Sequence, residues 1–167
     1  MIRGFAVVFC ALALAACGFH LRGAAQLPFT TLNIALPESS ALRADLARTI
    51  ASSSQTVIVD NPKEAQAVLS VVSDAQTKNI LSLNSAGRVR EYELVRTFVF
   101  KVDGPAGQPL IVPSRIVMRR DITFNDDQVL SKEAEETLLW RDMQGDLLQQ
   151  LLRRLAAANS KPATDKD

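Results

Sequence analysis

Three long segments in which apolar and polar residues alternate constrain the fold of this chain more than any other feature. They cover residues 67–83, 88–102 and 110–124. A period of two is typical of antiparallel strands with one face on a core and the other in water. The residues that we expect to face the core are Ala67, Leu69, Val71, Ala75, Leu81 and Leu83 in the first segment, Tyr92, Leu94, Phe98, Phe100 and Val102 in the second, and Leu110, Val112, Ile116, Met118, Ile122 and Phe124 in the third.

The loops between these segments favour hairpins. Residues 84–87 and 104–109 are made of Asn, Ser, Ala, Gly, Pro and Gln, and most of these residue types are common in turns. Pro113 lies near the start of the third segment, and proline cannot donate to a sheet ladder. The third strand is therefore predicted to be an edge strand or to be bulged near its start.

The rest of the chain predicts two helices and two shorter strands, the strands at residues 31–36 and 56–59. Ser39 is placed to cap a helix that ends near Ala51. A second, longer helix is predicted over residues 131–158, with Arg153 and Arg154 where a helix dipole favours cations. The apolar stripes of the two helices are Leu42, Leu46 and Ile50, and Leu139, Met143, Leu147, Leu151 and Leu155.

This element order predicts the α+β class. Two helices are expected to pack on one face of a mainly antiparallel, mixed sheet of about four strands. The alternation accounts for one hydrophobic core, and we see neither an internal repeat nor a second domain. The prediction is a single-domain sandwich over residues 31–158, followed by a polar tail over residues 159–167 that we expect to be disordered.

The N-terminus has the pattern of a bacterial secretory signal. Arg3 precedes an uncharged, apolar stretch that is too short to span a bilayer. Residues 14–17 (LAAC) resemble the lipobox of bacterial lipoproteins, which predicts cleavage between Ala16 and Cys17 and an N-palmitoyl, S-diacylglycerol cysteine at Cys17. The alternative is an ordinary secreted protein in which Cys17 is incidental.

The residues after Cys17 indicate where the lipoprotein goes. Gly18 follows the lipid site where an aspartate would act as an inner-membrane retention signal in enteric bacteria. A lipid-anchored protein of the outer membrane is therefore favoured, with residues 17–30 as a tether between anchor and domain. Cys10 lies within the signal, so the mature domain is expected to have no disulfide and to depend on packing.

Composition argues against catalysis, metal binding and general nucleic-acid binding. His20 is the only histidine and lies beside the predicted anchor, and no Cys-based zinc pattern or phosphate-binding glycine loop is present. The chain has 19 Lys and Arg against 18 Asp and Glu, and loss of Arg3 with the signal would balance them. We therefore expect a protein that is not an enzyme and needs no cofactor beyond its covalent lipid.

Several basic residues suggest an anionic ligand. Arg88 and Arg90 follow the Gly87 turn, Lys132 is near the start of the long helix, and further cations lie on the last strand at Arg115, Arg119 and Arg120. Guanidinium groups pair with phosphate in a two-point manner. The alternative for each is an ordinary solvated charge. Arg96 and Arg120 fall on apolar faces, which predicts a strand end or a carboxylate partner for each.

Residues 17–23 (CGFHLRG) resemble the Cys-Gly-aromatic-x-Leu-Arg start of the LptE family of lipopolysaccharide-assembly lipoproteins. Two further stretches are similar to that family. The pattern Gly87-x-x-x-Glu91-Tyr92-x-Leu94 resembles its turn-to-strand motif, and residues 119–132 with the following helix resemble its closing strand, loop and helix. The resemblance covers essentially the whole predicted mature chain.

The resemblance implies a partner and a ligand. Members of the family plug the LptD outer-membrane β-barrel, help it to assemble, and take part with it in delivering lipopolysaccharide to the outer leaflet. They bind lipopolysaccharide through basic residues near one end of the sheet. Lys132 matches a family lysine in the loop before the long helix, whereas Ser85 occupies the family's other basic position. Arg88 and Arg90 are the candidates to replace it.

Two other functions remain open at this point. A free-standing outer-membrane lipoprotein that binds another amphipathic envelope ligand would need an internal apolar cavity. A periplasmic hydrolase would need titratable groups clustered in a cleft.

Overall fold

The computed structural model of the protein describes residues 26–125 and 128–158. The predicted signal, Cys17, most of the tether and the polar tail lie outside these residues. In chain order the elements are β1 (Thr31–Ala35), α1 (Ala41–Ser53), β2 (Val57–Ile58), a 3-10 turn (Pro62–Glu64), β3 (Ala67–Leu83), β4 (Val89–Asp103), β5 (Pro109–Thr123) and α2 (Val129–Ala156).

The sheet has five strands in the order β2-β1-β3-β4-β5. Strand β1 pairs in parallel with β2 and β3, and the pairs β3–β4 and β4–β5 are antiparallel. Parallel neighbours require a crossover, and α1 forms part of the connection between β1 and β2. The predicted class, two helices on a mainly antiparallel mixed sheet, is confirmed, and the strand count of about four was low because β2 has only two residues.

The core lies between the sheet and the two helices. On the sheet its fully buried side chains include Leu94, Phe98 and Phe100. On α2 the predicted stripe is confirmed by the complete burial of Met143, Leu147, Leu151 and Leu155, with Leu139 packed at its edge. On α1 Leu46 and Ile50 are buried and Leu42 packs against the same cluster. The helix cap is Ser40 rather than Ser39, and its Oγ accepts a hydrogen bond from the Arg43 N–H at 3.3 Å.

The second half of β3, after Val72, does not face the core as predicted. Val71 lies opposite Phe100 and Ser73 lies opposite Val99, so Val72 is an extra residue that forms a β-bulge. A bulge shifts the alternation of every following side chain by one position. Asp74 therefore faces the helices, opposite Phe98, whereas Ala75 faces the open side. A second irregularity follows at Leu81, and Leu81 and Leu83, both predicted to be core residues, are about half exposed.

Strand β5 is an edge strand and is also irregular near its start, as Pro113 predicted. Its register shifts between Ile111, opposite Val102, and Ser114, opposite Phe100. The shift turns Val112 outward, where it is 62% exposed, so its predicted inward orientation was wrong. Ile111 packs against the core in its place.

Both arginines on apolar strand faces have carboxylate partners, as expected. The Arg96 side chain is 4% exposed, and its Nη2 lies 2.7 Å from Asp74 Oδ2. Arg96 Nη1 also donates to Gln144 of α2, whose Nε2 donates to Asp45 of α1 at 3.1 Å. Arg120 pairs with Asp146 of α2 at a more exposed position. Polar contacts therefore join the sheet to α2, and α2 to α1, beside the apolar core.

The chain enters the sheet at one end, and the β3–β4 turn lies at the other. The chain enters β1 at the end that carries the β4–β5 turn, where Pro28 and Phe29 line a cavity of about 190 Å³ together with Pro105, Gln108 and Ala158. The β3–β4 turn lies at the opposite end. Strand β4 has 15 residues, so at ~3.4 Å per residue the two ends are roughly 50 Å apart.

Candidate functional site

The β3–β4 turn fixes the backbone from which Arg88 and Arg90 project. Asn84 Oδ1 accepts hydrogen bonds from the N–H groups of Ala86 and Arg88, both at 3.0 Å. The Asn84 N–H donates to the Arg88 carbonyl at 2.8 Å. Gly87 has a φ of 74°, in the left-handed region that glycine adopts without strain. The loop predicted from residues 84–87 is therefore a closed, internally bonded turn.

Arg90 extends into solvent next to this turn. Its side chain is 68% exposed, and its Nη2 lies 3.9 Å from Glu91 Oε1. An exposed pair at that separation is weak. The guanidinium can therefore exchange this contact for a stronger one with a phosphate at little cost.

Lys132 lies in the first turn of α2, not in a loop before it, because the helix begins at Val129. Its Nζ donates to Thr123 Oγ1 at 3.0 Å and to Glu135 Oε2 at 2.8 Å. Its side chain is 16% exposed. An ammonium group has three donors, so these two bonds leave one for a ligand.

The structure brings these three predicted candidates to the same end of the sheet. Thr123, which accepts from Lys132, lies opposite Glu91 in the β4–β5 ladder. The next residue, Phe124, donates its N–H to the Arg90 carbonyl at 2.8 Å. Arg88 and Arg90 follow the turn directly, and Lys132 is tied to the strand beside them. We call this region, from the β3–β4 turn to the first turn of α2, the distal end.

Lys78 also belongs near the distal end, and the sequence did not predict it. The bulge at Val72 turns Lys78 toward the helices, where its Nζ lies 2.6 Å from Glu136 Oε2 and 4.3 Å from the centre of the Tyr92 ring. Tyr92 in turn contacts Phe124 edge to face, with ring centres 5.5 Å apart. A bulge leaves no reliable mark in a single sequence, and strict alternation from Ala67 would place Lys78 on the open face instead.

Exposed apolar side chains lie on β3 and α2, the elements that carry Lys78 and Lys132. The exposed fraction is 83% for Leu130 and 60% for Ile80. Other exposed members of this apolar rim are Leu81, Leu83 and Val129. The adjacent pair Ile80-Leu81 is a departure from alternation, and this was the sequence signal for the rim. Cations and exposed apolar groups together suit a ligand that carries both anionic groups and hydrocarbon.

The remaining basic candidates have carboxylate partners or lie elsewhere. Arg119 Nε is 3.4 Å from Glu93 Oε1 on the face of the sheet that the helices leave open. Arg115 is opposite Val99 on that same face, and Arg120 is bound to Asp146. The last strand therefore does not add its arginines to the distal end.

The described part of the chain contains no group of three or more His, Cys, Asp or Glu side chains that could hold a metal ion. His20 lies outside it. No helix within residues 26–125 and 128–158 is both long enough and apolar enough to cross a bilayer.

Comparison with known families places these features in context. A family model described as LptE, lipopolysaccharide-assembly, matches residues 29–155. The chain is 29% identical over 163 residues to the LPS-assembly lipoprotein LptE of Pectobacterium atrosepticum, covering 95% of this chain and 85% of that protein. It is 32% identical over 164 residues to the LPS-assembly lipoprotein LptE of Yersinia enterocolitica, covering 96% of this chain and 76% of that protein.

Solved structures agree with this match. Lipoprotein B from Nitrosomonas europaea, determined by NMR in solution, superposes with a TM-score of 0.74 at 35% identity, covering 84% of this chain and 91% of that one. The crystal structure of rare lipoprotein B from Shewanella oneidensis superposes with a TM-score of 0.66 at 26% identity, covering 76% of this chain and 94% of that one. A minor lipoprotein from Acinetobacter baumannii shares the fold, with a TM-score of 0.64 at 22% identity.

Proposed function

The chain belongs to the LptE family of lipopolysaccharide-assembly lipoproteins, as its sequence motifs indicated, and from that premise we propose that it plugs the LptD outer-membrane barrel and binds lipopolysaccharide at its distal end. It acts there as a structural and assembly subunit rather than as an enzyme. The observation that carries the proposal is the coincidence of Arg88, Arg90 and Lys132 with an exposed apolar rim at one end of the sheet.

The dimensions of the domain suit a plug that extends through a barrel. The sheet is roughly 50 Å long, and the 28 residues of α2 give about 42 Å of helix. A bilayer with its headgroup regions is ~40–45 Å thick. A domain held at one end by a membrane anchor therefore has the length to reach the opposite leaflet with the other end.

The direction of the chain sets which end would be anchored. Gln26–Thr30 enter the fold at the β4–β5 turn, opposite the distal end. Only eight residues lie between Cys17 and Gln26, so these two residues can be at most ~30 Å apart. A lipid on Cys17 in the inner leaflet would keep the β4–β5 turn near the periplasm and allow the distal end to reach toward the outer leaflet.

The distal end suits both parts of a lipopolysaccharide molecule. Phosphates on its sugar headgroup would pair with the guanidinium of Arg90 and the remaining donor of Lys132. Its acyl chains would contact the apolar rim of Ile80, Leu81, Leu83, Val129 and Leu130.

The open face of the sheet is compatible with the polar interior of a large barrel. It carries the ion pair between Arg119 and Glu93, with Val117 opposite Thr97 in the next row. The same face also carries Val95 and Val99, while the largest apolar side chains lie on the helix side. We therefore infer that contacts with the wall combine polar side chains with valines.

Purification of the full lipoprotein from outer membranes tests the proposal. A tagged copy should co-purify with LptD in a 1:1 complex, and mass spectrometry of its N-terminal peptide should find a triacylated Cys17. A Cys17→Ser control should lose the lipid and weaken the recovery of the barrel. Recovery of the lipidated protein as a monomer, with no barrel bound, would contradict the plug.

A further inference from the structure

Lys78 contacts both α2 and β4 near the distal end. Its Nζ lies 2.6 Å from Glu136 Oε2 on α2 and 4.3 Å from the centre of the Tyr92 ring on β4. The side chain of Lys78 is 36% exposed and that of Glu136 is 23% exposed, and a partly buried pair is screened less than one in open water. The charge of Lys78 is therefore bound within the chain, and Lys78 joins two elements rather than offering a free cation.

The contact with Glu136 leads to Lys132. Glu136 follows Lys132 by four residues, which is about one turn of helix. Its other oxygen, Oε1, accepts a hydrogen bond from Trp140 Nε1 at 3.3 Å, and Trp140 packs against the core. The start of α2 has no side-chain cap at Gln128. The position of its first two turns over the sheet therefore depends on contacts such as that of Lys78 with Glu136.

The contact with Tyr92 leads to Arg90. Tyr92 contacts Phe124 edge to face, with ring centres 5.5 Å apart. The Phe124 N–H donates to the Arg90 carbonyl at 2.8 Å. An ammonium group over the face of an aromatic ring is attracted to its π electrons. Lys78 thus lies within one continuous series of contacts that runs from the backbone of Arg90 to α2 near Lys132.

We propose that Lys78 is a positioning residue of the lipopolysaccharide site, which fixes the separation of Lys132 and Arg90 without contacting the ligand. This role rests on the proposed function, because it needs a ligand that contacts both cations. The two cations are on different elements, α2 and β4. They bind one molecule well only if their separation is already correct, since ordering them on binding would cost affinity.

Two neighbouring glutamates distinguish positioning from a simple effect of charge. Glu135→Ala and Glu136→Ala each remove one negative charge from the same turn of α2, and by charge alone both should strengthen the binding of an anionic ligand. Glu135 contacts Lys132 itself, so its loss should leave binding at least as tight as in the wild type. Glu136→Ala should instead weaken binding about threefold, because Lys78 loses its partner on α2.

Titration of the full lipoprotein in detergent with labelled lipopolysaccharide measures both affinities. If Lys78 contacted the ligand directly, Glu136→Ala would free its ammonium group and strengthen binding. Wild-type or tighter binding by Glu136→Ala, or an equal loss in Glu135→Ala, would overturn the proposal.

Substitution of Lys78 itself provides an independent test. Lys78→Met keeps a long side chain without the charge and should weaken binding about threefold. Lys78→Arg can still contact the carboxylate and the ring, so it should restore the wild-type affinity. Lys101→Met is the matched control, because Lys101 is bound to Asp103 at 2.8 Å and lies nine residues beyond Tyr92 on β4. It should bind as the wild type does.

Urea unfolding of each variant separates a loss of affinity from a loss of stability. Equal affinities for Lys78→Met and Lys78→Arg, or the same loss in Lys101→Met, would contradict a positioning role for Lys78.

Failure of this role and failure of the proposed function give different results. If Lys132→Glu and Arg90→Glu weaken binding while Lys78→Met and Glu136→Ala do not, the site stands and the positioning role is wrong. If neither Lys132→Glu nor Arg90→Glu weakens binding, the site itself is wrong, and the role of Lys78 is wrong with it.

Discussion

The guanidinium of Arg96 donates two hydrogen bonds to the carboxylate of Asp74, from Nε to Oδ1 at 2.9 Å and from Nη2 to Oδ2 at 2.7 Å. The two residues are on adjacent strands and 22 positions apart in the chain. Arg96 is almost completely buried while Asp74 retains 27% exposure. Asp74 therefore neutralises the charge of Arg96, which alternation places on the core face of β4.

Replacing Asp74 should therefore destabilise the domain strongly. Asp74→Ala leaves the Arg96 charge buried with only an amide partner, and removal of one member of a buried pair costs about 3 kcal/mol. Asp146→Ala, which removes the exposed partner of Arg120, should cost under about 1 kcal/mol. Urea unfolding of the two variants measures the contrast. Equal losses would show that burial of Arg96 does not decide the cost.

Replacement of two leucines on α2 by alanine should likewise cost different amounts of unfolding free energy, because the two differ in burial. Leu147 is completely buried and Leu138 is 55% exposed. Leu147→Ala should lower the free energy of unfolding by about 2–5 kcal/mol through lost contacts and an unfilled cavity. Leu138→Ala should change it by no more than about 0.5 kcal/mol. Thermal unfolding followed by circular dichroism distinguishes them, and a large loss at Leu138 would contradict the exposure of this side chain.

Two glycine-to-alanine changes should have opposite effects on the free energy of unfolding. Gly87 has a φ of 74° in the β3–β4 turn, where alanine is strained, so Gly87→Ala should destabilise by about 1 kcal/mol. Gly145 is in the middle of α2 with open space around its Cα, so Gly145→Ala should stabilise by up to about 1 kcal/mol. Chemical denaturation of both variants measures the signs. A destabilised Gly145→Ala would contradict the open space that surrounds this position.

Binding of lipopolysaccharide should depend on charge at the distal end. Lys132→Glu and Arg90→Glu each remove a cation from the region of the apolar rim, and each should weaken binding by about tenfold, as expected for the loss of a charge-assisted hydrogen bond. Arg115→Glu makes the same change of charge on the open face and should leave binding unchanged. The full lipoprotein in detergent, titrated with labelled lipopolysaccharide, reports the affinities, and circular dichroism confirms folding. Unchanged binding in both distal variants would move the site elsewhere.

Much of the fold could be predicted from alternation and helix periodicity, because those patterns record burial directly. The β3 bounds agree with the predicted segment, and the stripe from Met143 to Leu155 is buried as expected. The face of the second half of β3 could not be predicted. One extra backbone residue at Val72 inverts its alternation, and exposed residues on both sides of the strand weaken the pattern that would have revealed it.

The candidate site was predictable in its residues but not in its surroundings. Turn chemistry placed Arg88 and Arg90 beside Gly87, and the helix predicted over residues 131–158 placed Lys132 near its start. The contact of Lys132 with Thr123 depends on how α2 lies over β5, a tertiary relation with no local signal, whereas its contact with Glu135 is a pair three residues apart within the helix. Strict alternation would place Lys78 on the wrong face for the same reason as the rest of the second half of β3.

The bulge at Val72 also marks where this strand can change length. Because Val72 and Ser73 together oppose Val99, removal of Val72 would leave Asp74 opposite Phe98 and Lys78 opposite Leu94. A deletion at a regularly paired position of β3 would instead carry one side of the strand to the wrong face. Deletion of one residue in this strand is therefore tolerable at the irregularities of Val72 and Leu81 and disruptive at the regularly paired positions between them, so a gap in an alignment belongs at one of these two positions.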